Sequence, residues 1–162
     1  HSPCNVILVP RAARLEFKNI LVATDGSKYS DAAAAEAVNI AKLCGATLTA
    51  ISVVPSEAAS PFDIVNSEMQ KGLIADKELK AAEDNIRKVK ESAEREGLKT
   101  TGLIYSGTPY EAITITAKEK KADLIVIGSH GRTGITRLLM GSVTERVIGH
   151  ADCAVLVVTM HG

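Results

Sequence analysis

Five short apolar runs, each bounded by turn residues and joined by segments of helical spacing, limit what this chain can fold into. Asn19-Ile20-Leu21-Val22-Ala23 is continuous and apolar, as a strand buried on both faces is, and Thr24-Asp25-Gly26-Ser27 ends it in a turn. Ala33, Ala37, Ile40, Ala41 and Cys44 then recur at helical spacing, with Gly45 as the stop. Thr47 to Val54 is the second β-type run, and Pro55 to Ser67, rich in Pro and Ser, reads as a mobile loop. Leu79, Ala82, Ile86, Val89 and Ala93 alternate steps of three and four, which predicts a long amphipathic helix with a solvated charged face, closed by Gly97. Thr101 to Tyr105 is a third strand, weakened by Gly102. Thr108-Pro109-Tyr110-Glu111 predicts a helix start with a capping box and Pro at the first helical position. Asp123 to Ile127 is a fourth buried strand, and Ala154 to Val158 closes the series after a glycine-rich loop and another helix. Strands alternating with helical crossovers predict an α/β protein, a parallel sheet with helices on both faces.

Residues 1–16 stand outside this pattern. Pro3, Pro10 and Arg11-Ala12-Ala13-Arg14 punctuate them and they match nothing downstream, so they read as a leader or an artificial extension. The domain proper is expected over 17–162. His1 in place of Met leaves a processed chain, a tagged chain and a fragment as alternatives. No internal repeat stands out.

Composition excludes several function classes. Lys plus Arg and Asp plus Glu both number 19, so a net charge of zero supplies no field to gather nucleic acid or a membrane surface. Aromatics are 3% of the chain, too few for base stacking or aromatic anchors at an interface. No apolar run approaches the roughly 20 residues of a bilayer span. Cys4, Cys44 and Cys153 lack metal or disulfide spacing, which predicts reduced thiols in a cytoplasmic protein.

The segment Gly128-Ser129-His130-Gly131-Arg132-Thr133-Gly134, continuing to Gly141-Ser142, leaves a buried strand and enters a helix. In doubly wound sheets, ligands lie beyond the carboxyl ends of the strands. Glycines let backbone N–H groups approach phosphate oxygens, and a helix N-terminus favours an anion. Gly128 and Gly131 on one side, with Gly141 and Ser142 on the other, therefore suit a polyphosphate. The loop is neither a Walker A sequence nor the G-x-G-x-x-G dinucleotide fingerprint. Ser142-Val143-Thr144-Glu145 matches a capping box, with Ser142 as the cap and Glu145 reaching back.

The pattern G-x-x-G, nine residues, then G-S, together with Ala23-Thr24-Asp25-Gly26-Ser27 and the Gly141-to-Val158 segment, resembles the universal stress protein family. The likeness covers about Phe17 to Thr159 and extends to the ATP-binding subclass. The resemblance implies a Rossmann-like sheet of the adenine nucleotide alpha hydrolase type, with five parallel strands in the order 3-2-1-4-5. That order sets Asp25 and Gly128 side by side at the switch point. By resemblance, Ala23, Thr24 and Asp25 line a nucleotide site, with Asp25 near the ribose or a phosphate-bound metal. Val53 offers backbone to adenine, Gly128 to Gly134 (with Ser129, His130, Gly131, Arg132 and Thr133) pass the ribose and phosphates, and Gly141, Ser142 and Val143 hold the phosphate tail. The implied ligand is ATP, or AMP or ADP, with Mg²⁺ or Mn²⁺.

Two function classes follow: a nucleotide-dependent regulatory module for stress response, or a weak ATPase or autophosphorylating enzyme using the same site. Arg132 and Arg137 would supply positive charge for the second and His130 a base, but no kinase-type catalytic loop is present. Binding with at most slow hydrolysis is the favoured expectation, and no catalytic residue is assigned. An interaction domain with an empty site is a third class, disfavoured by the intact glycines. Val155 to Val158 reads as an apolar edge strand open to pairing. Family resemblance implies a homodimer through it.

Overall fold

A computed structural model describes residues 4–55, 67–131 and 140–160. Strand β1 is Val6–Leu8 and β2 is Asn19–Ala23. They are followed by α1 (Lys28–Cys44), β3 (Thr47–Pro55), α2 (Ser67–Arg95), β4 (Thr100–Gly107), α3 (Pro109–Glu119), β5 (Leu124–Gly128), α4 (Ser142–His150) and β6 (Ala154–Val158). The expected Pro55-to-Ser67 loop falls largely on residues 56–66, outside the described residues.

The apolar runs are continuous because each strand feeds two cores. Ile20 and Val22 of β2 pack with Ala33, Ala37, Ile86 and Val89 under α1 and α2. Leu21, between them, points to the opposite face with Ile113 of α3 and Val147 of α4. Ala33, Ala37 and Ala41 are fully buried, and their small side chains let α1 lie close on the sheet. Gly45 ends α1 in the left-handed region at φ 65°, its N–H returning to the Ala41 carbonyl.

The sheet order is β1-β6-β5-β2-β3-β4. From β6 to β4 neighbours are parallel, whereas β1 runs antiparallel to β6. The expected five-stranded, all-parallel sheet in the order 3-2-1-4-5 is thereby corrected to a mixed sheet of six strands. Two further expectations change with it. Val6–Leu8, read as part of a leader, lies in the sheet, and β6 is not an open edge, because β1 takes its outer side. The cause is physical: an apolar edge carries a row of backbone donors and acceptors, and Val-Ile-Leu is a good strand former to satisfy them.

Candidate functional site

The reversal in strand order lies between β2 and β5, which pair directly and in parallel but lead into different crossovers. A cavity of about 370 Å³ opens there, at the carboxyl ends of β2, β3 and β5. Ala23, Thr24, Asp25, Val53, Gly128, His130, Gly131, Gly141, Ser142 and Val143, all expected from sequence, line it. Ser129 is not among the lining residues. It is buried and structural: its N–H donates to the Val158 carbonyl, and its own carbonyl accepts from the Gly141 N–H at 2.7 Å. Arg132, Thr133 and Gly134, together with Arg137, lie outside the described residues.

The turn after β2 is built by short polar side chains. Asp25 Oδ1 accepts from the Ser27 N–H at 2.9 Å, and Ser27 caps α1 by accepting the Ser30 N–H at 3.2 Å. The Ser30 hydroxyl donates to the Ser27 carbonyl and also receives the Asp25 N–H at 3.3 Å. Asp25 is therefore both a turn residue and part of the cavity wall. Gly26 is needed for this turn, having φ 81° and no room for a Cβ, which would meet Asn85 Oδ1 at 2.6 Å.

The glycines after β5 serve different ends. A Cβ on Gly128 would lie 2.8 Å from the backbone of Tyr29, so Gly128 is required by the close approach of α1 to β5. Packing therefore gives Gly128 a reason to be glycine that is independent of any phosphate, while the residue also lines the cavity. Gly131 faces the cavity, and a Cβ there would lie 3.1 Å from Asp25 Oδ2. His130 is held between them, its Nδ1 2.9 Å from Ser129 Oγ and its ring centroid 5.0 Å from that of Tyr29.

The N-terminus of α4 differs from the expected capping box. Gly141, not Ser142, is the N-cap, no side chain caps it, and Ser142 is the first helical residue. Glu145 uses its backbone N–H to reach the Gly141 carbonyl at 3.0 Å and lies exposed. Gly141 can take the cap position with no side chain over the helix end. The first N–H groups of α4 are thus not covered by a capping side chain, and this positive end borders the cavity. The box expected at Thr108 is likewise absent, while Pro109 does occupy the first helical position.

On β3, Ile51 accepts the Thr24 N–H at 2.9 Å, at the level where β2 ends. Strand alternation aims the N–H and C=O of Val53, two residues on, to that same side, past the end of β2 and toward the cavity. Ile51, Ala82, Ile113, Ile127 and Val143 add aliphatic surface.

Sequence reasoning missed Ser30, Ser52, Thr144 and Glu78 as lining residues. Glu78 was legible in principle, since it precedes Ala82 by one helical turn on α2. It brings a second carboxylate to a wall that already holds Asp25. Among the described residues no group of three His, Cys, Asp or Glu is placed to hold a metal ion.

The universal stress protein family model matches residues 16–159, and the chain belongs to that family. It is similar to a universal stress protein of Methanocaldococcus jannaschii, 44% identical over 142 residues that span 88% of this chain and 82% of the relative. The solved structure of UspA from Lactobacillus plantarum matches with a TM-score of 0.79 and 33% identity, over 90% of this chain and 99% of its own. A universal stress protein solved in complex with cAMP matches at TM-score 0.67 and 25% identity, over 90% of this chain and 98% of its own. Another, from Archaeoglobus fulgidus, matches at TM-score 0.67 and 26% identity, over 98% of this chain but 50% of its own. Among the described residues, no helix is long and apolar enough to cross a membrane.

Proposed function

We propose that this chain binds an adenine nucleotide, ATP being the favoured form, and acts as a nucleotide-dependent regulatory module. The observation that carries the reading is the side-chain-free N-terminus of α4 bordering a cavity at the β2/β5 switch point. Adenine would lie on the aliphatic wall and meet the backbone of Val53. The ribose and phosphates would pass Gly131 and His130, and the phosphate tail would reach Gly141, Ser142 and Val143. A related protein of known structure binds cAMP, which supports an adenine nucleotide as the ligand class.

Two lining carboxylates, Asp25 and Glu78, oppose a polyanion. A divalent cation, Mg²⁺ or Mn²⁺, held by Asp25 and the phosphates resolves that conflict and supplies countercharge. The Arg132 and Arg137 side chains are candidates for the same task. Hydrolysis is at most slow in this reading, because the sequence carries no kinase-type catalytic loop to orient a nucleophile on a γ-phosphate.

Denaturing freshly purified protein and chromatographing the supernatant tests the ligand class: an adenine nucleotide is expected. Single-turnover incubation with labelled ATP tests the role, with most label expected to persist as ATP. Rapid conversion to ADP would instead support the enzyme reading.

A further inference from the structure

We infer that the outer edge of β6 is a seam with a second domain of this same fold, and that β1 is that domain's last strand. The first observation is a likeness between the two strands that the linear reading overlooked. His1-Ser2-Pro3-Cys4-Asn5-Val6-Ile7-Leu8-Val9 aligns without gaps on His150-Ala151-Asp152-Cys153-Ala154-Val155-Leu156-Val157-Val158. His, Cys and two Val coincide, and Ile7/Leu156 and Leu8/Val157 keep the aliphatic character. The segment read as matching nothing downstream thus resembles the β6 sequence, with four of nine positions identical.

The second observation is the register, which does not depend on side-chain identity. Val6 pairs with Val157, Ile7 with Leu156 and Leu8 with Val155. In the alignment, Val6 corresponds to Val155, Ile7 to Leu156 and Leu8 to Val157. Each pair therefore maps onto the set when the strands are exchanged, with Ile7 and Leu156 at the centre. This is the register that two copies of one strand adopt about a local two-fold axis, an isologous contact. A strand added merely to cover an edge has no reason to centre itself in this way.

The third observation is burial. Val155 and Val158 of β6 are each 2% exposed, packed into the cores of their own domain. Their counterparts Val6 and Val9 are 44% and 42% exposed. β1 thus carries the pattern of a core strand without a core of its own, and a domain of this fold is the body that fits it. Leu8, which packs on the β6 side, already has its partner. The similar structures agree in length: the UspA match leaves a tenth of this chain uncovered, whereas the match covering 98% of this chain takes up half of a longer one. Two such domains joined at β1 and β6 would form one continuous sheet, with Pro10 to Lys18 linking the seam to β2.

The test is to follow the reading frame upstream of His1 and express the whole polypeptide. The inference expects a preceding domain of the same family ending in residues 1–9, a single compact particle by small-angle scattering, and slow amide exchange at Val6–Leu8 and Val155–Val157 together. Ile7→Pro in that polypeptide should open the seam, raising exchange on both strands and the radius of gyration while leaving β2 and β5 protected. An upstream frame with no such domain overturns the inference. So do β1 amides that exchange freely in the whole polypeptide, or an Ile7→Pro protein as compact as its parent. A chain lacking residues 1–9 should expose β6 and pair with its own copy, giving a homodimer by sedimentation. A strict monomer at high concentration would contradict the self-complementary edge.

Discussion

The Thr144 hydroxyl donates to the Gly128 carbonyl at 2.8 Å, tying the first turn of α4 to the last residue of β5. With the Gly141 N–H on the Ser129 carbonyl, it closes the neck of the glycine-rich loop and fixes the α4 N-terminus over the cavity. Thr144 is 3% exposed, so Thr144→Val leaves a buried carbonyl without its donor. A loss of about 1–3 kcal/mol is expected. Thermal unfolding should shift down by several degrees, and nucleotide affinity should fall with it. Thr144→Ser, which keeps the donor, should recover most of both. Equal stability of the Val variant and the parent would count against the tie.

Gly128→Ala separates packing from ligand approach. Its Cβ would collide with the Tyr29 backbone at 2.8 Å, so the nucleotide-free protein should lose about 1–3 kcal/mol in denaturant titration. A variant as stable as the parent, impaired only in binding, would favour the reading of Gly128 as a phosphate-contacting glycine.

Asp25→Asn keeps the Oδ1 acceptor for the Ser27 N–H and removes the charge. The fold should survive, with Tm near that of the parent. ATP affinity in excess Mg²⁺ should drop to the value measured in chelator, because the carboxylate no longer shares the cation. Undiminished Mg²⁺ dependence in the variant would remove Asp25 from that role.

How far the fold can be read in the sequence depends on which force decides each element. β2, β5 and β6 are legible because a strand buried on both faces reads as a continuous apolar run, as Ile20, Leu21 and Val22 do. Gly45 is legible as a helix stop because few other residues take φ 65° cheaply. Val6–Leu8 is not legible from its own surroundings, since three residues between two prolines carry no period. Its place becomes evident only when compared with Val155–Val157 across the sheet. At the site, ten of the lining residues were marked by position after a strand or before a helix. Glu78 comes from the far side of an intervening crossover, and only the packing of α2 on β3 and β4 brings it in. The Ser142-x-x-Glu145 box misled because Gly141 takes the cap, which makes Ser142 the first helical residue and puts Thr144, not Glu145, at the third helical position.

Burial of the thiol pushes the Cys153 pKa from its ordinary 9.0 up to about 11, with Asp123 and Asp152 adding to the effect. At pH 8 its thiolate population should be about a hundredfold below that of an unshifted thiol. Exposed Cys44 should therefore react with iodoacetamide well before Cys153, read by peptide mass spectrometry. Because the fold favours the neutral thiol, the stabilisation from this group is complete below pH 9 and is lost as pH rises through 11. Similar labelling rates at the two cysteines would contradict the assignment.

Nucleotide binding in the β2/β5 cavity is tested most directly by calorimetric titration of nucleotide-stripped protein with ATP and Mg²⁺, beside Gly131→Val. A side chain there would start 3.1 Å from Asp25 Oδ2 and project into the cavity. The parent should bind saturably, and the variant, with an unchanged circular dichroism spectrum, should bind at least tenfold more weakly, a loss of about 1.4 kcal/mol. No heat from the parent, or equal affinity in the two proteins, would contradict an adenine nucleotide in this site.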